Sequence, residues 1–169
     1  MDVSITQAAT ESQIEAVREL IREYTAWAFT LVEGSDKAPA FEGLEDELAA
    51  LPGIYAPPAG RLLLATREGQ PAGCVCFKGH DGTTCELKRL YVRPTMRGLN
   101  LGWKLVSTLV EEARRAGYRR MVLDSHESMK KAHELYRSAG FKDVNAPPDF
   151  PEELRPIVVF MELDLASNV

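Results

Sequence analysis

The sequence predicts a mixed α/β domain: a mostly antiparallel sheet of about seven strands with a central parallel pair, flanked by about four helices. Three observations predict it. Short segments of two-residue alternation end in turn residues, segments of three- and four-residue period separate them, and one helix stands between two strands, which requires a parallel pair. The 169 residues suffice for about one domain. With 45% hydrophobic and 27% charged residues, the chain has a globular composition and not a disordered one.

Val3 to Ala8 reads as the first strand. From Glu11 to Leu31 the apolar residues Ile14, Val17, Ile21, Tyr24, Ala28 and Leu31 alternate spacings of three and four, an amphipathic helix that Thr10 can cap. Residues 34–60 form a stiff connection with glycines at 34, 43, 53 and 60, prolines at 39, 52, 57 and 58, and a short helix predicted over Leu44 to Leu51. Arg61 to Arg67, the turn Glu68-Gly69-Gln70-Pro71, Ala72 to Lys78 and a further strand reaching Val92 make an antiparallel meander. Leu101, Leu105, Leu109 and Ala113 restore the helical period until Gly117 ends it. Met121 to Leu123 is a short apolar strand, Ser128 to Ala139 a helix closed by Gly140, and Ile157 to Leu165 the last strand after a proline cluster.

Charge narrows the function classes. Twenty basic against twenty-five acidic residues leave a net charge of −5, which disfavours capture of nucleic acid or an anionic membrane. The first sixty residues are strongly acidic, whereas residues 84–142 are basic, so one part suits an anionic ligand and another a cationic one. No segment is apolar over the length of a bilayer, and the amino terminus lacks a leader pattern. Three cysteines, at 74, 76 and 85, make no disulfide framework, and a cytoplasmic setting is expected.

The chemistry-bearing segment begins at Cys85-Glu86-Leu87-Lys88-Arg89-Leu90-Tyr91-Val92. Its apolar alternation breaks once, between Leu87 and Leu90, which predicts a β-bulge that frees one backbone N–H. Arg97-Gly98-Leu99-Asn100-Leu101-Gly102 then leads into the helix at Trp103. Residues that tolerate unusual backbone angles at a helix start can wrap their N–H groups around phosphate oxygens. Neither a P-loop nor a dinucleotide fingerprint fits this spacing.

Taken together, the bulged strand ending Leu-Tyr-Val-Arg-Pro, the Arg-Gly-Leu-Asn-Leu-Gly loop, and Leu135-Tyr136 before Gly140-Phe141 resemble the GNAT superfamily of N-acetyltransferases. The order of elements agrees from about residue 3 to residue 165. The resemblance implies acetyl transfer from acetyl-coenzyme A to a primary amine by direct attack, through a tetrahedral intermediate. It places the family's Arg/Gln-x-x-Gly-x-Gly/Ala loop on Arg97, Asn100 and Gly102, so the backbone of Arg97 to Trp103 is the expected diphosphate site. Asn100 stands where the family has its first glycine, and Met129 where many relatives have an asparagine.

Leu90, Tyr91 and Val92 can pair with the pantetheine amides as an added strand would, while the N–H freed by the bulge bonds the thioester oxygen. Glu86 is the candidate base for the acceptor ammonium. Tyr136, at the family's tyrosine position, is the candidate acid for the departing thiolate, since a phenol is protonated at neutral pH. Trp27, Phe29, Tyr55 and Phe150 are expected on the acceptor side, and a small cationic amine is the expected acceptor.

Other readings rank lower. Cys74, Cys76, His80 and Cys85 lack the spacing of a metal site, and none is expected. Cys85 with His80 or His126 could form an acyl-enzyme, although the family transfers directly; His126 and His133 otherwise read as surface residues. The arginines at 114, 115, 119 and 120 lack the interleaved aromatics of an RNA site. A non-catalytic acyl-coenzyme A sensor or assembly module is the alternative from another class, and the sequence leaves a homodimer open.

Overall fold

The computed structural model describes residues 2–31 and 43–166; Gly34 and Pro39 of the stiff connection lie outside them. The chain runs β1 (Val3–Gln7), α1 (Glu11–Leu31), α2 (Leu44–Ala50), β2 (Arg61–Arg67), β3 (Gln70–Gly79) and β4 (Thr84–Val92). It continues with α3 (Leu101–Arg115), β5 (Arg120–His126), α4 (Lys130–Ser138), β6 (Lys142–Val144) and β7 (Val158–Asp164). The seven strands form one sheet in the order β1-β2-β3-β4-β5-β7-β6, antiparallel throughout except for β4 against β5.

Local chemistry sets these boundaries. At the start of α1, Thr10 and Gln13 cap each other: the Gln13 amide donates to Thr10 Oγ1 at 3.2 Å and the Thr10 amide to Gln13 Oε1 at 3.0 Å. Between β2 and β3, Glu68 and Gly69 both have positive φ, 52° and 78°, which suits a two-residue hairpin to the sheet's twist. The alternation within Leu62-Leu63-Leu64-Ala65 serves two cores. Leu62 and Leu64 pack beneath α1 and α2, while Leu63 and Ala65 face α3. Both faces of the sheet are covered, so these strands read as continuous apolar runs. On the α3 side Leu101, Leu105, Val106, Leu109, Val110 and Ala113 are buried, each large side chain worth roughly 1.5–3 kcal/mol.

The predicted bulge is present. Cys74 pairs with Tyr91 and Cys76 with Lys88, so two steps on β3 face three on β4, with Arg89 at φ 61° as the residue that absorbs the extra step. The thiols of Cys74 and Cys76 donate to the Arg89 and Lys88 carbonyls across this irregularity.

Three details depart from the sequence expectation. β6 has only three exposed residues and carries no pattern that marks a strand. β5 extends through the polar Asp124, Ser125 and His126, because pairing with β7 continues to Val158 beyond the apolar run. His133 is buried, not on the surface, with Nε2 at 3.0 Å from Ser125 Oγ.

Candidate active site

β4 and β5 pair over only three residues, from Thr84 with Arg120 to Glu86 with Val122. Beyond Glu86 the β5-facing main chain of β4 meets no strand among the described residues, and the two strands splay. Into this splay opens a cleft of about 680 Å³. Leu90, Tyr91 and Val92 line one wall and Leu135 and Tyr136 of α4 the opposite one. Arg97, Gly98, Asn100, Leu101, Gly102 and Trp103 close one end. Tyr24 and Trp27 of α1 complete it.

The closed end is shaped as an anion cradle. Gly98, Leu99 and Asn100 are successive left-handed residues, with φ of 102°, 56° and 54°. Asn100 caps α3 through backbone conformation alone, without a side-chain hydrogen bond. The Leu101 and Lys104 amides donate to the Gly98 and Asn100 carbonyls. Among the described residues no main-chain carbonyl accepts from Asn100, Gly102 or Trp103, whose amides are first-turn donors of the kind that bind anions. A Cβ on Gly102 would stand 2.9 Å from Leu135 Cδ1, so its absence lets α3 and α4 close together at the cradle. Lys130 and Lys131, at the start of α4, bring positive charge to the same cleft. A diphosphate therefore fits the residues present: open amides, cations and no intruding side chain on the glycines.

Tyr136 is buried, its ring tilted against Phe141 at 5.8 Å, and burial holds the phenol well above its ordinary pKa. It therefore stays protonated in the cleft. Glu86 lies outside the cleft lining, at the point where β4 and β5 part. Its carboxylate is 2.5 Å from His80 Nε2, and its side chain is mostly shielded.

The four aromatics expected on the acceptor side separate. Trp27 lines the cleft, 6.2 Å from Tyr24, which in turn lies 5.9 Å from Tyr91. Phe150 does not line the cleft; it stands edge-on against Phe160 of β7 at 4.9 Å. Phe29 is exposed on α1, away from the cleft lining. Tyr55 is wholly buried in the core under α1 and α2 and reaches no ligand space, because the connection folds inward there instead of lining the site.

Among the described residues, several carboxylates of the acidic first third are held in ion pairs. Glu23 holds Arg93 through both carboxylate oxygens at 2.8 to 3.1 Å, Glu11 and Glu15 hold Arg18, and Glu47 holds Arg89. The Arg93 pair ties α1 to the end of β4 and so sets Tyr24 and Trp27 over the cleft. Tyr24 is a cleft residue that sequence reasoning missed, visible only as a helix-core position. The cysteines divide between the two cores, Cys74 and Cys76 on one side and Cys85 on the other, and no cluster able to hold a metal ion occurs among the described residues. No described helix is long and apolar enough to cross a membrane.

Residues 15–141 match the model of the acetyltransferase (GNAT) family. An uncharacterized N-acetyltransferase of Schizosaccharomyces pombe is 36% identical over 98% of this chain and 97% of its own. The IAA acetyltransferase of Azospirillum brasilense is 35% identical over 65% of this chain and 71% of its own. Among solved structures, an acetyltransferase of Streptococcus agalactiae superposes with a TM-score of 0.74 at 21% identity, covering 96% of this chain and 98% of that one. The PaiA N-acetyltransferase of Thermoplasma acidophilum, solved in complex with coenzyme A, gives 0.73 at 18% identity over 97% and 99%.

Proposed function

Because this chain belongs to the acetyltransferase (GNAT) family, we propose that it transfers the acetyl group of acetyl-coenzyme A to the primary amine of a small molecule, as a single cytoplasmic domain. The observation that carries this reading is the splay of β4 from β5 beside the left-handed run Gly98-Leu99-Asn100. Together they offer an unpaired strand edge next to a diphosphate cradle. The coenzyme A complex of the PaiA relative supports the choice of co-substrate.

The chain's residues divide the work. Amides of Asn100, Gly102 and Trp103, with Arg97 nearby, hold the diphosphate. The main chain of Leu90 to Val92 pairs with the pantetheine amides, and the N–H released at the bulge donates to the thioester oxygen as charge develops there. Glu86 takes the proton of the acceptor ammonium, directly or through water, so that the nitrogen lone pair can attack. The new C–N bond gives a tetrahedral intermediate whose nitrogen sheds its remaining extra proton to water; as the C–S bond breaks, Tyr136 gives the departing thiolate its proton and is reprotonated from solvent.

The test combines two measurements on the purified chain: the melting shift on adding coenzyme A, and mass-spectrometric detection of acetylated product from an amine library with acetyl-coenzyme A. Stabilisation of about 2.7 kcal/mol at a hundredfold excess over Kd, with transfer to at least one amine, is the expected result. Stabilisation with no transfer to any amine favours the non-catalytic binding module. Absence of both effects overturns the proposal altogether.

A further inference from the structure

Sheet alternation sends Met121 and Leu123 of β5 into the core beneath α3, and Ser125 is the next side chain on that face. By that point β4 has parted from β5, so Ser125 is only half-buried and lines the cleft, as Tyr136 does. Its Oγ lies 3.0 Å from Nε2 of the buried His133. His133 and Tyr136 are three residues apart on α4 and so share one face of that helix.

A buried imidazole calls for a partner and a reason. Other buried polar side chains are answered within the fold: Thr25 donates to the Ile21 carbonyl inside α1, and Arg89 is held by Glu47. His133 is instead directed at a hydroxyl on the cleft wall. Burial, then Arg137 and Lys130, lower its pKa against Asp143, while the main chain of His126 draws a ring proton to itself. The ring is therefore neutral at neutral pH, with Nε2 placed to accept from the Ser125 hydroxyl. The three thiols are buried and line no part of the cleft. Ser128 does line it, but this residue is exposed, and both its amide and its hydroxyl meet His126 Nδ1 in the turn that leads into α4.

We propose that Ser125 and His133 form a nucleophile–base pair that takes the acyl group of a short acyl-coenzyme A onto Ser125 and passes it to water when no amine is bound. The inference rests on a coenzyme A thioester occupying this cleft, as in the acetyl-transfer reading. Oγ bonds to the acyl carbon while Nε2 takes its proton; the C–S bond then breaks, and the imidazolium returns that proton to sulfur. Water next attacks the ester carbon and gives a proton to Nε2, and the C–O bond to Ser125 breaks as Oγ recovers it. One thioester and one water become coenzyme A and a carboxylic acid, with both residues restored.

The full chain incubated with acetyl-coenzyme A and no amine tests the point, with thiol release followed in time and acid-quenched samples read by peptide mass spectrometry. The expected result is release above the protein-free background, together with one acetyl group on the peptide that carries Ser125. Ser125→Ala should lose that adduct and lower the release by about 10²-fold or more. The coenzyme A melting shift shows that the variant is folded. Should it fold poorly, Ser125→Cys keeps a nucleophile in place and should acquire acetyl at that position. Release that is absent, or unchanged in a folded Ser125→Ala chain, overturns the inference. An adduct that is missing, or that sits on Ser128, Lys130 or Lys131 instead, overturns it equally. In each of those cases coenzyme A stabilisation with transfer to an amine leaves acetyl transfer standing, whereas loss of stabilisation, amine transfer and release together removes the reading on which the inference rests.

Discussion

Arg89 sits at the bulge with its side chain only 5% exposed, and its guanidinium meets Glu47 of α2 through Nε at 3.1 Å and Nη2 at 3.3 Å. Glu47→Ala removes this carboxylate from a buried cation. Breaking such a pair costs roughly 3–5 kcal/mol, and since Glu47 is itself 17% exposed, about 3 kcal/mol is the expected loss. For a chain of this length, each kcal/mol lowers Tm by about 2–4 °C, so the variant should melt roughly 6–12 °C below the parent. Replacing both partners, Glu47→Leu with Arg89→Met, removes the buried charge itself while the left-handed strain at position 89 stays the same. The double variant should therefore recover to within about 1 kcal/mol of the parent. Thermal unfolding followed by circular dichroism decides the matter. A Glu47→Ala Tm within about 2 °C of the parent, or a double variant as labile as the single one, would refute the reasoning.

Two further outcomes follow from the site. Tyr136→Phe keeps the ring packed on Phe141 but removes the proton donor, so kcat should fall by about 10²-fold or more while the coenzyme A melting shift persists; an unchanged kcat in steady-state assays discards the acid role. His133 is buried beside Arg137 and Lys130, with Asp143 opposing them, and burial first, then those cations, lower its pKa from the ordinary 6.5. A lowered base binds fewer protons folded than unfolded, so its stabilising contribution is intact above pH 6.5 and is lost as pH falls below that value. Melting curves from pH 7.5 to 5 should show that loss in the parent and a flatter profile in His133→Gln.

Some of this architecture was legible in local patterns because local patterns cause it. The bulge announced itself when the alternation slipped between Leu87 and Leu90, since a side chain cannot keep its face through an extra residue. Asn100 was readable as a left-handed residue from its chemistry alone. What stayed hidden depends on contacts distant in sequence. Tyr55 looks like a loop aromatic, yet it lies fully buried because α2 and the turn after it fold onto the sheet. The cleft itself depends on where β4 and β5 part, a geometry that no single segment encodes. The acidic α1 suggested an attraction for cations, and its four carboxylates are engaged by only two arginines, Arg18 with Glu11 and Glu15 and Arg93 with Glu19 and Glu23, a pairing that its own sequence could not show.

The three thiols packed into the two cores also bear on how this protein can be observed. Burial pushes Cys74 and Cys85 up to about 12 and Cys76 well above its ordinary value, so at neutral pH the folded chain offers aromatic disulfide reagents almost no thiolate. Their labelling rate becomes a clock for opening of the molecule. The sulfhydryl liberated at each turnover reacts at once, and a colorimetric assay can count product in real time over a silent protein background.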